Sequence, residues 1–346
     1  MRHTKLNAGK LSMPKLALLL TAAFIITFLV SIMAGRYSIS LQELIQLLGG
    51  AGRESGSKLR TADIVFFQSR LARVAAGAII GAALSCAGAS YQGIFHNPMV
   101  SPDILGAATG ASFGAALAIY LGWDTVFVQL TAFCFGLVAV GAAYFTGSAV
   151  TEKTGESTVT LVLTGMVVGS VFSAFISIIK FAGDPYDTLP AITFWLMGGL
   201  TYVTNRDVLF MLVPFLAGII PVILFRWRLN VMSLDEEEAA SLGVNTKAMR
   251  AVFIICATLI SSASVAVGGM IGWVGLIVPH ISRMLVGPDY SKLIPCSIAL
   301  GSIFLMIVDD LARCLFSAEL PLGVLTSLIG APFFLWLLFR GGRSFM

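Results

Sequence analysis

The sequence predicts an all-α fold, a polytopic membrane bundle of ten spanning helices in one domain over residues 1–346, and three observations predict it. Of the 346 residues, 57% are hydrophobic and only 12% charged, whereas a soluble domain carries about 25% charge. The apolar residues gather into runs of roughly 17–25 residues, long enough to cross about 30 Å of hydrocarbon as helix. Small residues recur at every fourth position within these runs, which is the spacing that lets helix backbones approach closely in lipid.

The expected spans, in order, are 16–35, 71–92, 104–121, 126–147, 159–182, 207–225, 249–268, 271–286, 293–316 and 322–340. Arg2, Lys5, Lys10 and Lys15 precede the first run and imitate a signal peptide. That run is long enough to span and more spans follow it, so an uncleaved first helix is expected. The eighth span is interrupted by Pro279 and His280. An even count puts both termini on one side, and the basic N-terminus makes that side cytoplasmic. The segments then placed inside hold the larger share of Lys and Arg, among them Lys153, Arg226, Arg228, Lys247, Arg250, Arg283 and Lys292. Arg70, Arg73 and Arg313 fall outside, beside spans two and nine, and need another explanation.

Three stripes of small residues stand out: Gly77, Gly81, Ser85 and Ala89; Gly106, Gly110 and Gly114; Gly165, Gly169, Ser173 and Ser177. Each fits tight helix packing, and one of them fits the lining of a wide, smooth path. Proline-bearing segments at 95–103, 278–280 and 287–290 echo one another across the two halves. Repeats that start at spans two and seven lie five helices apart, so spans 2–5 and 7–10 would form an inverted repeat. The segment from Ala191 to Leu200 is too short to span and reads as a re-entrant or interfacial helix with Trp195 as an interface anchor.

The sequence speaks against several chemistries, an ion-driven secondary transporter being the alternative it leaves. A scattered net charge of +4 is not a nucleic-acid footprint. Cys86, Cys134, Cys256, Cys296 and Cys314 lie far apart, and no pair has Cys-x-x-Cys spacing, so no zinc site or disulfide framework is indicated. Gly110, Ser112 and Gly114 match the letters of a hydrolase elbow, but they lie inside an apolar helix and not at a strand–turn–helix junction. No phosphate-binding Gly-x-x-x-x-Gly-Lys-Ser/Thr is present, so ATP would have to be hydrolysed by a partner. An ion-driven secondary transporter would want carboxylates near the membrane midplane; only Asp309 and Asp310 of span nine offer themselves, and they lie toward one end.

The acidic island between spans six and seven carries the sharpest functional signal. It runs Leu234, Asp235, Glu236, Glu237, Glu238, Ala239, Ala240, Ser241, Leu242, Gly243. Four consecutive carboxylates cannot sit in hydrocarbon. Ser233 with Glu236 makes a capping box, the acids favour a helix N-terminus, and Gly243 is placed to end the helix in a left-handed turn. A solvated loop helix and a docking helix for a partner both fit, over 233–245.

Four blocks give the chain a resemblance to a known family. They are Gln-Ser-Arg-Leu-Ala-Arg-Val at 68–74 running on to 88–106; Phe-Trp-Leu-Met-Gly-Gly-Leu at 194–200; the acidic helix; and Val-Gly-Leu-Ile-Val-Pro-His-Ile-Ser-Arg at 274–283 with 309–313 and 319–326. Together they resemble the permease subunits of type II ATP-binding-cassette importers, over about residues 60–340. The resemblance implies ten helices per unit, a homodimer or pseudo-dimer, two cytoplasmic ATPase subunits below it and an extracytoplasmic substrate-binding protein above it. It implies a multi-pass protein of the cell membrane that is no enzyme and holds no cofactor. It makes Leu234 to Gly243 the coupling helix that fits the ATPase. It makes Arg70, Arg73 and Arg313 the docking arginines for the binding protein, with Ala72 where the family usually has proline. Arg313 also fits an ion pair with Asp309 at i, i+4, or a pair facing the bundle. Ser157 and Thr158 match the family's cytoplasmic gate, and Ser157 equally fits the N-cap of span five. The implied cargo is a metal chelate, with iron-siderophore foremost and haem, cobalamin and molybdate or tungstate beside it.

Overall fold

The computed structural model describes residues 13–35, 37, 39–49, 57–154, 157–234, 236–315 and 318–341. Within them the ordered elements are all helical. They are α1 (Met13–Met33), α2 (Leu41–Leu48), α3 (Ser57–Ile64), α4 (Leu71–Ile94), α5 (Ala107–Tyr120), α6 (Thr125–Thr154) and α7 (Ser157–Ala182). After these come α8 (Thr188–Met197), α9 (Asn205–Met232), α10 (Glu236–Ser241), α11 (Thr246–Gly268), α12 (Val274–Val286), α13 (Tyr290–Cys314) and α14 (Leu322–Gly341). A π-helical turn, Val65–Arg70, joins α3 to α4 without a break.

Each of the ten expected spans is met by a helix, but 8 are long and apolar enough to cross a membrane. The third and eighth expected spans fall short, α5 with 14 residues and α12 with 13. At 1.5 Å per residue each covers about 20 Å. The start of each expected run, 104–106 and 271–273, is instead the end of an irregular segment, 95–106 and 269–273 respectively. His96 and Gly106 in the first, and Gly269 and Trp273 in the second, take positive φ. Non-helical backbone at membrane depth is tolerated only where protein covers it. Leu105 and Val100 in the first segment, and Ile271 in the second, are indeed buried.

α4 is the hub. Most of its surface is buried, and α13, α11, α12 and α9 pack around it. Small residues make this possible. A Cβ on Gly81 would lie 2.1 Å from Gly301 O, and one on Gly88 would lie 1.8 Å from Gly275 O. The first stripe is therefore a packing surface. The second serves the same purpose against α6, where a Cβ on Gly114 would meet Thr131 O at 2.4 Å. The third divides: Gly165 packs on Ile104 O, while Ser173 and Ser177 are exposed on α7. Two contacts answer one another across the halves. Ser85 of α4 lies against Gly301 of α13, and Ser262 of α11 lies against Gly136 of α6.

α8 matches the expected short helix but lies a few residues earlier. It ends at Gly198, whose O accepts from Leu322 N while Gly199 N donates to Gly268 O. Trp195, expected as an interface anchor, is instead half-buried against the cluster of Ala111, Ala115 and Val265. α7 is the least buried of the long apolar helices, leaving Leu163, Met166, Val167 and Val171 exposed along an open groove.

Candidate functional site

The acidic island folds as a hairpin between α9 and α11. The helix is shorter than expected, because Ser233 does not cap it. The Ser233 hydroxyl donates backward to Asn230 O at 2.6 Å and closes α9. α10 begins at Glu236, and Asp235 lies outside the described residues, as do the side chains of Glu236 and Glu237. The far end is as expected. Gly243 has φ 75°; its N–H bonds Ala240 O, and Val244 N–H bonds Ala239 O. That pair is the Schellman closure. Ala239 is buried, and Val244 enters the cluster of Met232, Leu229 and Phe253. The remaining described side chains face out: Leu234, Glu238, Ala240, Ser241 and Leu242, the last 61% exposed. Leu234 and Leu242 thus flank α10 with exposed apolar side chains, and Glu238 faces out from it. Of the flanking cations, Lys247 is exposed. Arg226 is tied to Ile223 O and Ser291 O, and Arg228 lies over the Phe225 and Trp227 rings.

The same end of the bundle holds a polar lattice that the sequence did not suggest. The Asn230 amide donates to Asp289 Oδ1 at 2.8 Å and its oxygen accepts from Tyr290 N at 2.8 Å. Burial works against the Asp289 carboxylate, but bonds from Asn230 and Ser291, with Lys292 nearby, hold it below the usual carboxylate range. His96 Nε2 lies 2.7 Å from Met232 O. A signal was available for the last of these: α4 must end before Asn97-Pro98, and no glycine stands there to end it. Ser157 and Thr158, the gate candidates, open α7, and their side chains lie outside the described residues.

At the opposite end the three arginines are brought together, but inside the bundle. Each is under 10% exposed. Arg73 donates from Nη2 to Asp309 Oδ1 at 2.8 Å, from Nε to Asp309 at 3.0 Å, and from Nη1 to Glu319 Oε2 at 2.9 Å. Arg313 pairs with Asp310, donates to Ser31 O, and sits 3.7 Å from Asp309 through Nε. Arg70 Nη1 donates to Ile32 O and Met33 O, and Nη2 to Tyr37 O. Guanidiniums thus cover the last carbonyls of α1, which is favourable at a helix C-terminus. This corrects the expectation of outward-facing arginines: buried carboxylates and helix-end carbonyls hold them in. For Arg313 the i, i+4 pair with Asp309 is present at 3.7 Å, beside a closer pair with Asp310, both within the bundle. Glu319 is the partly open edge of the network, and it also accepts from Thr201 Oγ1 at 2.7 Å. Asp309 and Asp310, the carboxylates an ion-driven carrier would use, are both engaged by arginine.

Among the described residues no three His, Cys, Asp or Glu side chains converge as metal ligands. Ser112 is fully buried between glycines packed on α6, where no substrate reaches it.

Comparison with known proteins gives a consistent result. The FecCD transport family matches residues 23–340. A molybdate import system permease protein of Haemophilus influenzae is 37% identical over 339 residues, covering 96% of this chain and 98% of that protein. A cobalamin import system permease protein of Halobacterium salinarum is 39% identical over 280 residues, covering 80% of this chain and 74% of its own. A solved inward-facing structure of a metal-chelate type ABC transporter superposes with a TM-score of 0.83 at 37% identity, covering 94% of this chain and 99% of that one.

Proposed function

We propose, from the premise that the chain belongs to the FecCD transport family of ABC-importer permeases, that it is the membrane half of an ATP-driven importer of a metal chelate or metal oxyanion. Two copies form the permease. Two cytoplasmic ATP-binding-cassette ATPases dock below them, and a substrate-binding protein docks above. Both termini and α10 face the cytoplasm. Residues Leu234 to Gly243 are the coupling element. The observation that carries this is the exposure of Leu234 and Leu242 around an acidic helix pinned by Ala239. ATP binding in the partner shifts the bundle between outward- and inward-open states through differential contact with that helix.

The Arg73 network is the docking site at the other end. Its guanidinium is reached where Glu319 leaves it partly open, so a carboxylate of the binding protein exchanges with Glu319. Arg70 and Arg313 support that site by holding α1 in place. Ser157 and Thr158 narrow the cytoplasmic exit. The two short helices α5 and α12, and the paired Ser85–Gly301 and Ser262–Gly136 contacts, support an inverted repeat of spans 2–5 on spans 7–10 within a ten-helix permease. The exposed groove of α7 is apolar, so choice among ferric siderophore, haem, cobalamin, molybdate and tungstate rests with the binding protein, with ferric siderophore the first candidate.

The test is reconstitution of the chain with its ATPase and binding protein in vesicles, loaded with that panel of cargoes. Reversing Glu236, Glu237 and Glu238 to lysine should uncouple ATP hydrolysis from uptake. Normal uptake per ATP in that variant would remove the case for α10 as the coupling helix.

A further inference from the structure

α4 ends on a histidine where a glycine is expected. Asn97 N–H bonds Gln92 O at 3.2 Å and His96 N–H bonds Gly93 O at 3.4 Å. This is a Schellman closure with His96 at its left-handed position, φ 49°. A Cβ crowds the backbone there, which is why glycine is the usual occupant. The side chain supplies what holds it. Nε2 lies 2.7 Å from Met232 O. A carbonyl only accepts, so Nε2 carries a proton and donates. Met232 is the last residue of α9, and its carbonyl is among those a helix end leaves without an internal partner. One bond therefore joins the C-termini of two helices, immediately ahead of α10.

The neighbours give that bond a direction. α10 connects back to Met232 through the Ser233–Leu234 turn, whose N–H groups bond Asn230 O and Val231 O. Beyond His96 the chain is held in a second turn, with Asn97 Oδ1 accepting from Met99 N at 2.9 Å. Pro98 and Met99 then line a small cavity with His280 of α12 and Phe333, Phe334 and Leu337 of α14. The other tie from the end of α9, Asn230 to Asp289 and Tyr290, runs to α13 and not to this segment.

We propose that His96 is a positioning residue that transmits displacement of α10 into the 96–106 segment, and so to the contact between that segment and α12 and α14. The inference rests on the reading of α10 as the ATPase dock, and it adds the route by which the movement leaves that dock.

Hydrogen–deuterium exchange on the lipid-nanodisc complex with the ATPase tests it, comparing the nucleotide-free state with one trapped by ATP and vanadate. Peptides over 234–244 and 96–106 are followed in the unaltered chain, His96→Gly and His96→Gln. His96→Gly relieves the backbone strain while removing the bond, so loss of folding does not explain its effect; an equal or higher melting temperature confirms this. His96→Gln keeps a donor of similar reach. Trapping should change exchange several-fold in both peptides of the unaltered chain. In His96→Gly the response should persist at 234–244 and vanish at 96–106, and His96→Gln should restore it. A 96–106 response in His96→Gly equal to that of the unaltered chain overturns the proposal, as does a 96–106 segment in the unaltered chain that never responds. No response at 234–244 in the unaltered complex overturns the docking reading itself, and this proposal with it.

Discussion

Removing the Asp309 carboxylate should destabilise the chain more than any other single change at that end. Asp309 is 2% exposed and accepts bonds from Arg73 at 2.8 and 3.0 Å. In Asp309→Ala the Arg73 guanidinium stays buried and loses two charge-assisted bonds. Breaking a buried pair on one side costs about 3–5 kcal/mol, and each charge-assisted bond is worth about 1.5–3 kcal/mol. Glu319 remains 2.9 Å from Nη1 and Asp310 still holds Arg313, so the lower end, about 3 kcal/mol, applies. With an unfolding entropy of about 2.1 cal/mol/K per residue, that lowers the melting temperature of a chain this long by about 4 °C. A thermal scan in mild detergent reads it. The double variant Arg73→Met with Asp309→Leu removes both charges and should recover most of the loss, because the cost lies in the stranded guanidinium. An unchanged melting temperature in Asp309→Ala, or a double variant that melts lower than the single one, would refute the reasoning.

Three further outcomes are expected. Gly88→Ala should cost about 1–3 kcal/mol by forcing α4 from α12, since its Cβ would meet Gly275 O at 1.8 Å. Gly141→Ala, in the interior of α6 with nothing within 4 Å, should instead stabilise by about 0.4–1 kcal/mol; size-exclusion profiles after heating compare them. Arg70→Lys should loosen the chain between α1 and α2, because an ammonium does not reproduce the fork that serves three carbonyls; faster proteolysis after Met33 reads this.

What the sequence disclosed and what it withheld divide by the range of the information. The apolar runs mark helices because burial in lipid acts on each run separately. Gly243 was legible because its left-handed turn is a demand made by one residue's own backbone. Ser233 was not, because its hydroxyl has two local choices, α10 ahead or Asn230 O behind, and local pattern does not rank them. The lengths of α5 and α12 were overestimated because the expected runs took in 104–106 and 271–273, where the backbone is irregular and covered by protein. The arginines were visible as an anomaly of the charge rule, but their solution was not. Arg73 finds Asp309 236 positions away, and Arg313 finds Ser31 282 positions away, distances over which periodicity carries nothing. His96 showed only as a helix end that lacked its glycine.

These residues converge on one helix. α4 carries Arg73 in its first turn, and His96 stands just past its last. Between them its backbone lies against those of α13 at Gly81 and of α12 at Gly88. Contacts that close leave no side-chain layer to absorb a shear, because packed interiors respond by changing arrangement and not by stretching. A pull on Met232 through His96, or an exchange of carboxylates at Arg73, therefore acts on the same rigid element from opposite ends. Between Arg73 and His96 the polar groups of this most buried helix, Ser85, Ser90, Tyr91 and Gln92, are neutral, so in the function proposed above the two partners would be coupled through packing and not through a charged path.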